Sequence, residues 1–132
     1  MESFEIPDSS ITASSSYSYD HSAKFGRLRM AAKNGHKGGW SAKTNDKNQW
    51  LQIDLGSTMK VNKIATQGRQ DTSQWVTSFQ LSYSIDGSSF LPFGSARVSS
   101  LIDRQYSLYY TVAWSNEFYF RVVKTKATKT FV

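Results

Sequence analysis

The sequence predicts an all-β sandwich, and three observations carry that expectation. Apolar residues alternate with polar ones in several short runs, the period of half-buried strands. Turn-forming clusters separate the runs. Only one segment, Ser22 to Ala32, has a helical pattern, with Phe25, Leu28, Ala31 and Ala32 on one side. Gly26 weakens that helix by about 1 kcal/mol relative to alanine. Many short strands joined by polar turns favour two packed sheets over any helical architecture.

Each strand has its own justification. Leu51, Ile53 and Leu55 alternate with Gln52 and Asp54, and Gly56-Ser57 is expected to end that strand. A second strand rises from Lys60 to Gln67, and a polar loop from Gly68 to Gln74 leads into Trp75. Phe79, Leu81, Tyr83 and Ile85 alternate with Gln80, Ser82 and Ser84, and Asp86-Gly87 supplies hairpin turn chemistry. Pro92 in the return strand places that strand at a sheet edge or ends it. Tyr106, Leu108, Tyr110, Val112 and Trp114 form a further alternating face. Phe118, Phe120 and Val122 form another, after a turn at Ser115-Asn116. Leu51, Ile53, Phe79, Leu81 and Tyr83 are the expected core, with Gln52, Gln80 and Ser82 facing outward.

At 132 residues the chain makes one domain with a sizeable core, to which its 14% aromatic content contributes much of the area. No run approaches the ~20 apolar residues of a membrane helix, and no signal peptide is visible at the N-terminus. The absence of cysteine excludes disulfides and thiolate metal sites. The net charge of +6 is concentrated: residues 24–47 carry Lys24, Arg27, Arg29, Lys33, Lys37, Lys43 and Lys47 against Asp46 alone, and the remainder balances. Such a segment attracts phosphate, sulfate or anionic lipid, or it is a solvated loop face. Nucleic acid fits it poorly, since only Phe25 and Trp40 interleave aromatics with the basic residues.

The order Trp50-Leu51-Gln52-Ile53-Asp54-Leu55-Gly56, then Thr66-Gln67-Gly68-Arg69, then Trp75-Val76 resembles the discoidin family, or coagulation factor V/VIII type C domain. Met1-Glu2-Ser3 with Ile11-Thr12-Ala13-Ser14-Ser15, Gly39-Trp40 and the Phe79 to Phe90 hairpin add to the resemblance. It is specific from Met1 to about Phe93 and faint around Arg121-Val122-Val123. The resemblance implies a distorted jelly-roll barrel of about eight antiparallel strands over residues 1–132. The C-terminal part departs from the family, whose last strand is here missing or replaced by Ala127 to Val132. The family's end-to-end disulfide is absent too, and the expectation is a clipped version of the module, with a protein of a reducing compartment as the alternative.

The resemblance further implies a non-catalytic module in which three loops at one barrel end meet the ligand. Those loops are Tyr17-Ser18-Tyr19-Asp20-His21, Ala42 to Lys47 with Asn45 and Asp46, and Arg69-Gln70-Asp71-Thr72-Ser73-Gln74 closed by Trp75. Tyr17, Tyr19 and His21 can stack on a sugar face or cover a peptide, while the acids and amides orient the ligand. The implied partner is a glycan or an extracellular protein, and the implied location is extracellular or at the cell surface. Coagulation-type members put bulky apolar residues at these tips to enter phospholipid, whereas the tips here are polar or amphipathic. The alternative function is peripheral binding of anionic phospholipid or sulfated glycan through residues 24–47. Trp40, Trp50 and Trp75 read as core or loop-base residues.

No cofactor is expected. Asp20, Asp46 and Asp71, one on each loop, are a candidate calcium set competing with the plainer reading of three turn aspartates. A hydrolase is the third functional reading. It has no Gly-x-Ser-x-Gly, Gly-x-x-x-x-Gly-Lys or His-Glu-x-x-His motif behind it, although a Ser/His/Asp set could assemble in space around His21 or His36.

Overall fold

The structure, a computed structural model, describes residues 5–61, 63–69, 71–72, 74–97, 108–111 and 119–130. Seven strands are described: β1 Ile11–Ala13, β2 Trp50–Lys60, β3 Lys63–Thr66, β4 Val76–Ser84, β5 Leu91–Arg97, β6 Leu108–Thr111 and β7 Tyr119–Thr130. Five form an antiparallel sheet in the order β1-β2-β7-β4-β5, and β3 pairs antiparallel with β6 in a second sheet. The core joins the two sheets: Leu81 of β4 packs with Val61, Ile64, Tyr83 and Phe93.

The alternation in β4 has the expected register. Phe79 and Leu81 are buried and Gln80 is exposed. The pattern reverses at the strand end, where Ser84 is only 2% exposed and Ile85 stands out at 64%. The hairpin turn explains the reversal. Ser84 Oγ donates to Asp86 Oδ1 and accepts from the Gly87 N–H, both at 2.8 Å. Asp86 Oδ1 also accepts from the N–H groups of Ser88 and Ser89. Local capping therefore sets these orientations in place of hydrophobic alternation. Along β2 the alternation is weaker, because Gln52 and Asp54 are half-buried like Leu51 and Ile53, and Ser82 of β4 is half-buried as well.

Three further expectations are corrected. First, β2 does not end at Gly56-Ser57. It is interrupted there, with a positive φ of 79° at Gly56 and a register shift between Asp54 and Met59, and then continues to Lys60. Asp54 Oδ1 accepts from the Gly56 N–H at 2.8 Å, fixing the irregularity.

Second, Ser22 to Ala32 is not a helix. A 3₁₀ turn at Ala23–Phe25 closes at Gly26, and Arg29 turns into the left-handed region at φ 57°. Gly26 lies so near Leu51 and Trp40 that a Cβ there would stand 3.2–3.3 Å from them. Arg27 is buried, with its Nη2 donating to Asp8 Oδ1 at 2.7 Å and to the Ile6 carbonyl at 2.8 Å. Tertiary anchoring at these points overrides helical periodicity.

Third, Ala127 to Thr130 is not a substitute closing strand. It continues β7, which lies at the centre of the large sheet between β2 and β4. Pro92 sits on β5, an edge strand, as its missing N–H requires. The expected turn at Ser115-Asn116 lies outside the described residues.

Candidate functional site

Strand register locates the loops. Val76 pairs with Thr130, Trp50 with Lys126 and Ala13 with Leu51 at one end of the large sheet. Lys60 with Tyr119 and Ser84 with Val122 mark the other. The connection from β1 to β2 and the loop before β4 therefore leave at the same end. All three predicted loops belong to these two connections.

The first loop is a rigid aromatic turn. A 3₁₀ turn at Tyr19–His21 is followed directly by the one at Ala23–Phe25. Tyr17 and Tyr19 are 68% and 79% exposed. The Tyr17 ring stands edge-on to His21 with centroids 5.4 Å apart, and Tyr19 stands edge-on to Phe25 at 6.5 Å. Phe25 in turn stacks on His36 at 4.3 Å, nearly parallel. Lys24 Nζ lies 4.9 Å from the Tyr19 centroid and 5.1 Å from that of Phe25, and donates to Tyr19 Oη at 3.2 Å.

His21 is a correction to the predicted site: it is buried and holds the turn together. Ser18 Oγ donates its proton to Asp20 Oδ1, so the 2.7 Å contact between Ser18 Oγ and His21 Nδ1 requires Nδ1–H to be the donor. A catalytic triad needs serine on one ring nitrogen and the carboxylate on the other. Here both lie on Nδ1, at 2.7 and 3.2 Å, and the imidazole cannot take the Ser18 proton. The serine bond above all, with that of His21, holds the Asp20 carboxyl below its ordinary pKa.

The second loop is held by a residue the sequence reading missed. Gln49 is buried, and its Oε1 accepts from Ser14 Oγ at 2.8 Å and Ser15 Oγ at 2.6 Å. Its Nε2 donates to Thr44 Oγ1 and Asp46 Oδ1, tying the exposed Asn45-Asp46 tip to the end of β1. Bonds from Gln49 and the Asn48 N–H lower the Asp46 pKa.

In the third loop Arg69 is consumed internally. It meets Asp71 bidentately, Nε to Oδ1 at 2.9 Å and Nη2 to Oδ2 at 2.7 Å, while Nη1 donates to Gln74 Oε1 at 2.6 Å. The arginine bonds lower the Asp71 pKa, with a smaller contribution from the Lys37 charge. Thr72 is half-buried, and its carbonyl accepts from the Gln74 N–H. Trp75 is a half-buried loop base, packed so close to Gly68 that a Cβ there would stand 3.1 Å from it. Gln70 and Ser73 lie outside the described residues.

Residues 36–41 join the first loop to the third. The Lys37 N–H donates to the Asp20 carbonyl, the Ser41 N–H to the His21 carbonyl, and the Tyr17 N–H to the Ser41 carbonyl. Gly39 lies against the Arg69 stem, where a Cβ would stand 3.0 Å from Cγ. Trp40 Nε1 donates to the Ser15 carbonyl at 2.8 Å. The candidate calcium aspartates do not converge: no group of three potential metal-ligating side chains occurs among the described residues. Each carboxylate is instead held by donors of its own loop.

The basic segment is also not a uniform patch. Arg27 is buried and Lys24 lies on aromatic rings, whereas Lys33, Lys37, Lys43 and Lys47 are exposed. The contacts of Phe25 with Tyr19, His36 and Lys24 are not legible in the sequence, because an α-helix would direct Phe25 toward Leu28. The 3₁₀ turn brings it to Tyr19 instead.

A β-sandwich that presents aromatic, amide and charged side chains on ordered loops at one end defines a class, the β-sandwich ligand-binding module. The profile of the F5/8 type C domain matches residues 10–130, and the chain belongs to that family. It is 42% identical over 87 residues to lactadherin of Rattus norvegicus, a match covering 62% of this chain and 20% of lactadherin. The chain thus spans about a fifth of that relative's length. Discoidin II of Dictyostelium discoideum has a similar structure, with TM-score 0.75 and 23% identity over 91% of this chain and 49% of that one. So does CpGH89CBM32-5 of Clostridium perfringens, solved in complex with GalNAc-β-1,3-galactose, with TM-score 0.71 and 20% identity over 95% and 88% of the two chains. At these identities the structural likeness establishes the fold.

Proposed function

We propose that this chain is a non-catalytic glycan-binding module, part of a larger extracellular or cell-surface protein, whose ligand meets the end formed by the first and third loops. The observation that carries the reading is the pair Tyr17 and Tyr19, strongly exposed on a turn that is nonetheless fixed by Ser18, Asp20, His21 and Lys37. Exposed rings on a rigid backbone supply apolar contact area at low entropic cost, as a sugar face requires. Membership of the family and the disaccharide bound by the clostridial neighbour support the same class of ligand. Exposed Asn45 on the second loop and Thr72 on the third are the polar groups available for orientation, since Asp46 and Asp71 are held by donors of their own loops.

The Ser18–Asp20–His21 arrangement, with both partners on one ring nitrogen, favours binding over hydrolysis. Insertion into lipid is disfavoured because the two tyrosines are the only large hydrophobics prominently exposed on the described loops at this end.

The test is a glycan array followed by calorimetric titration with galactose-terminated oligosaccharides. Tyr17→Ala and Tyr19→Ala should each weaken binding by about tenfold, the scale of one lost aromatic contact. The melting temperature should hardly change, since both rings are solvent-exposed. Unchanged affinity in the double variant would refute the proposed surface.

A further inference from the structure

We infer that the ligand is an acidic glycan, carrying a sulfate or a sugar carboxylate, and that Lys24 is the residue recognising the negative group. The inference rests on the glycan-binding reading and adds the chemical class of the sugar. Lys24 is a positioned cation. Its ammonium lies over two rings and donates to Tyr19 Oη, so the long side chain is directed to one place beside the more exposed of the two loop tyrosines. Phe25 beneath it is itself fixed by stacking on His36. An ammonium donates three hydrogen bonds, and one to Tyr19 leaves two for a ligand.

The acids of this face are already engaged. Asp20 accepts from Ser18 and His21, and Asp71 is gripped at both oxygens by Arg69. The Asp71 charge is therefore compensated by Arg69, while the Asp20 carboxylate is turned onto Ser18 and His21 of its own turn and does not pair with Lys24. No carboxylate among the described residues pairs with Lys24, and exposed Lys37 lies on the segment joining the two loops. The surface around Tyr19 thus offers an aromatic face with an uncompensated positive group at its rim. A sugar bearing an anion matches both features at once. A neutral sugar would use the ring and leave the ammonium solvated.

The experiment measures binding to immobilised N-acetyllactosamine in neutral, galactose-sulfated and sialylated forms, at low and at physiological salt. The expected result is at least one acidic form bound roughly tenfold tighter than the neutral one, the scale of a charge-assisted hydrogen bond at an accessible site. Raised salt should narrow the difference. Lys24→Gln should bring the ratio of acidic to neutral affinity to about one, and Lys24→Arg should keep the preference, because a cation remains over the rings. Lys47→Gln serves as the control for general surface charge and should leave the preference in place.

Equal binding of all three forms by the wild-type chain overturns the inference and leaves the glycan reading standing. A preference that survives Lys24→Gln, or that Lys47→Gln removes equally, does the same. Binding of none of the three, alongside a glycan array without hits, brings down both.

Discussion

Replacing Gly38 with alanine should unfasten the joint between the first and third loops. Gly38 is buried with φ 66°, and a Cβ there would stand 2.5 Å from the Met30 carbonyl oxygen, 2.7 Å from the Ala32 nitrogen and 2.9 Å from the Ala31 carbonyl carbon. All three are backbone atoms, so no side-chain rotation relieves the contact. Left-handed backbone costs a non-glycine residue about 1–2 kcal/mol, and overpacking adds about 1–3 kcal/mol. The total is about 2–5 kcal/mol.

Gly35 provides the internal control. It too is left-handed, at φ 84°, but a Cβ there meets nothing within 4 Å. Gly35→Ala should therefore cost only the conformational part, about 1–2 kcal/mol. Urea denaturation followed by tryptophan fluorescence reads both changes as midpoint shifts at constant slope. Gly38→Ala should also weaken glycan binding, because Lys37 and Gly39 flank it and hold the Asp20 carbonyl and the Arg69 stem. Equal destabilisation by the two alanines would refute the steric reasoning.

Leu81→Ala should destabilise by about 2–5 kcal/mol in the same denaturation assay, since Leu81 centres the packing between the sheets. Arg27→Ala should cost about 2–4 kcal/mol through lost packing and an unsatisfied Ile6 carbonyl. Asp8→Ala should cost about 1–3 kcal/mol, because Asp8 is itself exposed but its loss takes a charged partner from the buried Arg27 guanidinium; equal effects of the two changes would show that the ion pair itself dominates. Asp20, Asp46, Asp71 and Asp86 all have lowered pKa values, Asp86 chiefly through backbone N–H bonds from Ser89 and Ser88. Their contribution is complete above the ordinary carboxylate range near about 4 and is lost as pH falls through the lowered folded-state values. Melting temperature should hence fall with acidification below that range, and Asp86→Asn should flatten the fall.

What was legible in the sequence was local. The Phe79 to Leu81 alternation, the Asp86-Gly87 turn and the edge position of Pro92 follow from neighbouring residues. The same holds for the loops, whose turn chemistry marks them wherever they fold. The illegible features depend on residues distant along the chain. Nothing near Arg27 announces Asp8, and nothing near Asp46 announces that Gln49 will reach Ser14 and Ser15. The helical periodicity at Ser22 to Ala32 was genuine, but contact of Gly26 with Leu51 and Trp40 decides that segment. Ala127 to Thr130 is hard to place from sequence because β7 takes its position from partners on both sides and not from a motif of its own.

The central place of β7 has a consequence for how the molecule is made. Without it, the large sheet is two separate pairs, β1 with β2 and β4 with β5, and β2 and β4 each present an unmatched row of amides and carbonyls. Such rows invite pairing with other chains. As the ribosome emits the chain, both rows are in place before the segment that fills the slot between them. Pairings across so much sequence also form slowly. Production of this domain should accordingly depend on how soon β7 arrives, and loss of β7 should yield aggregates rather than a smaller folded domain.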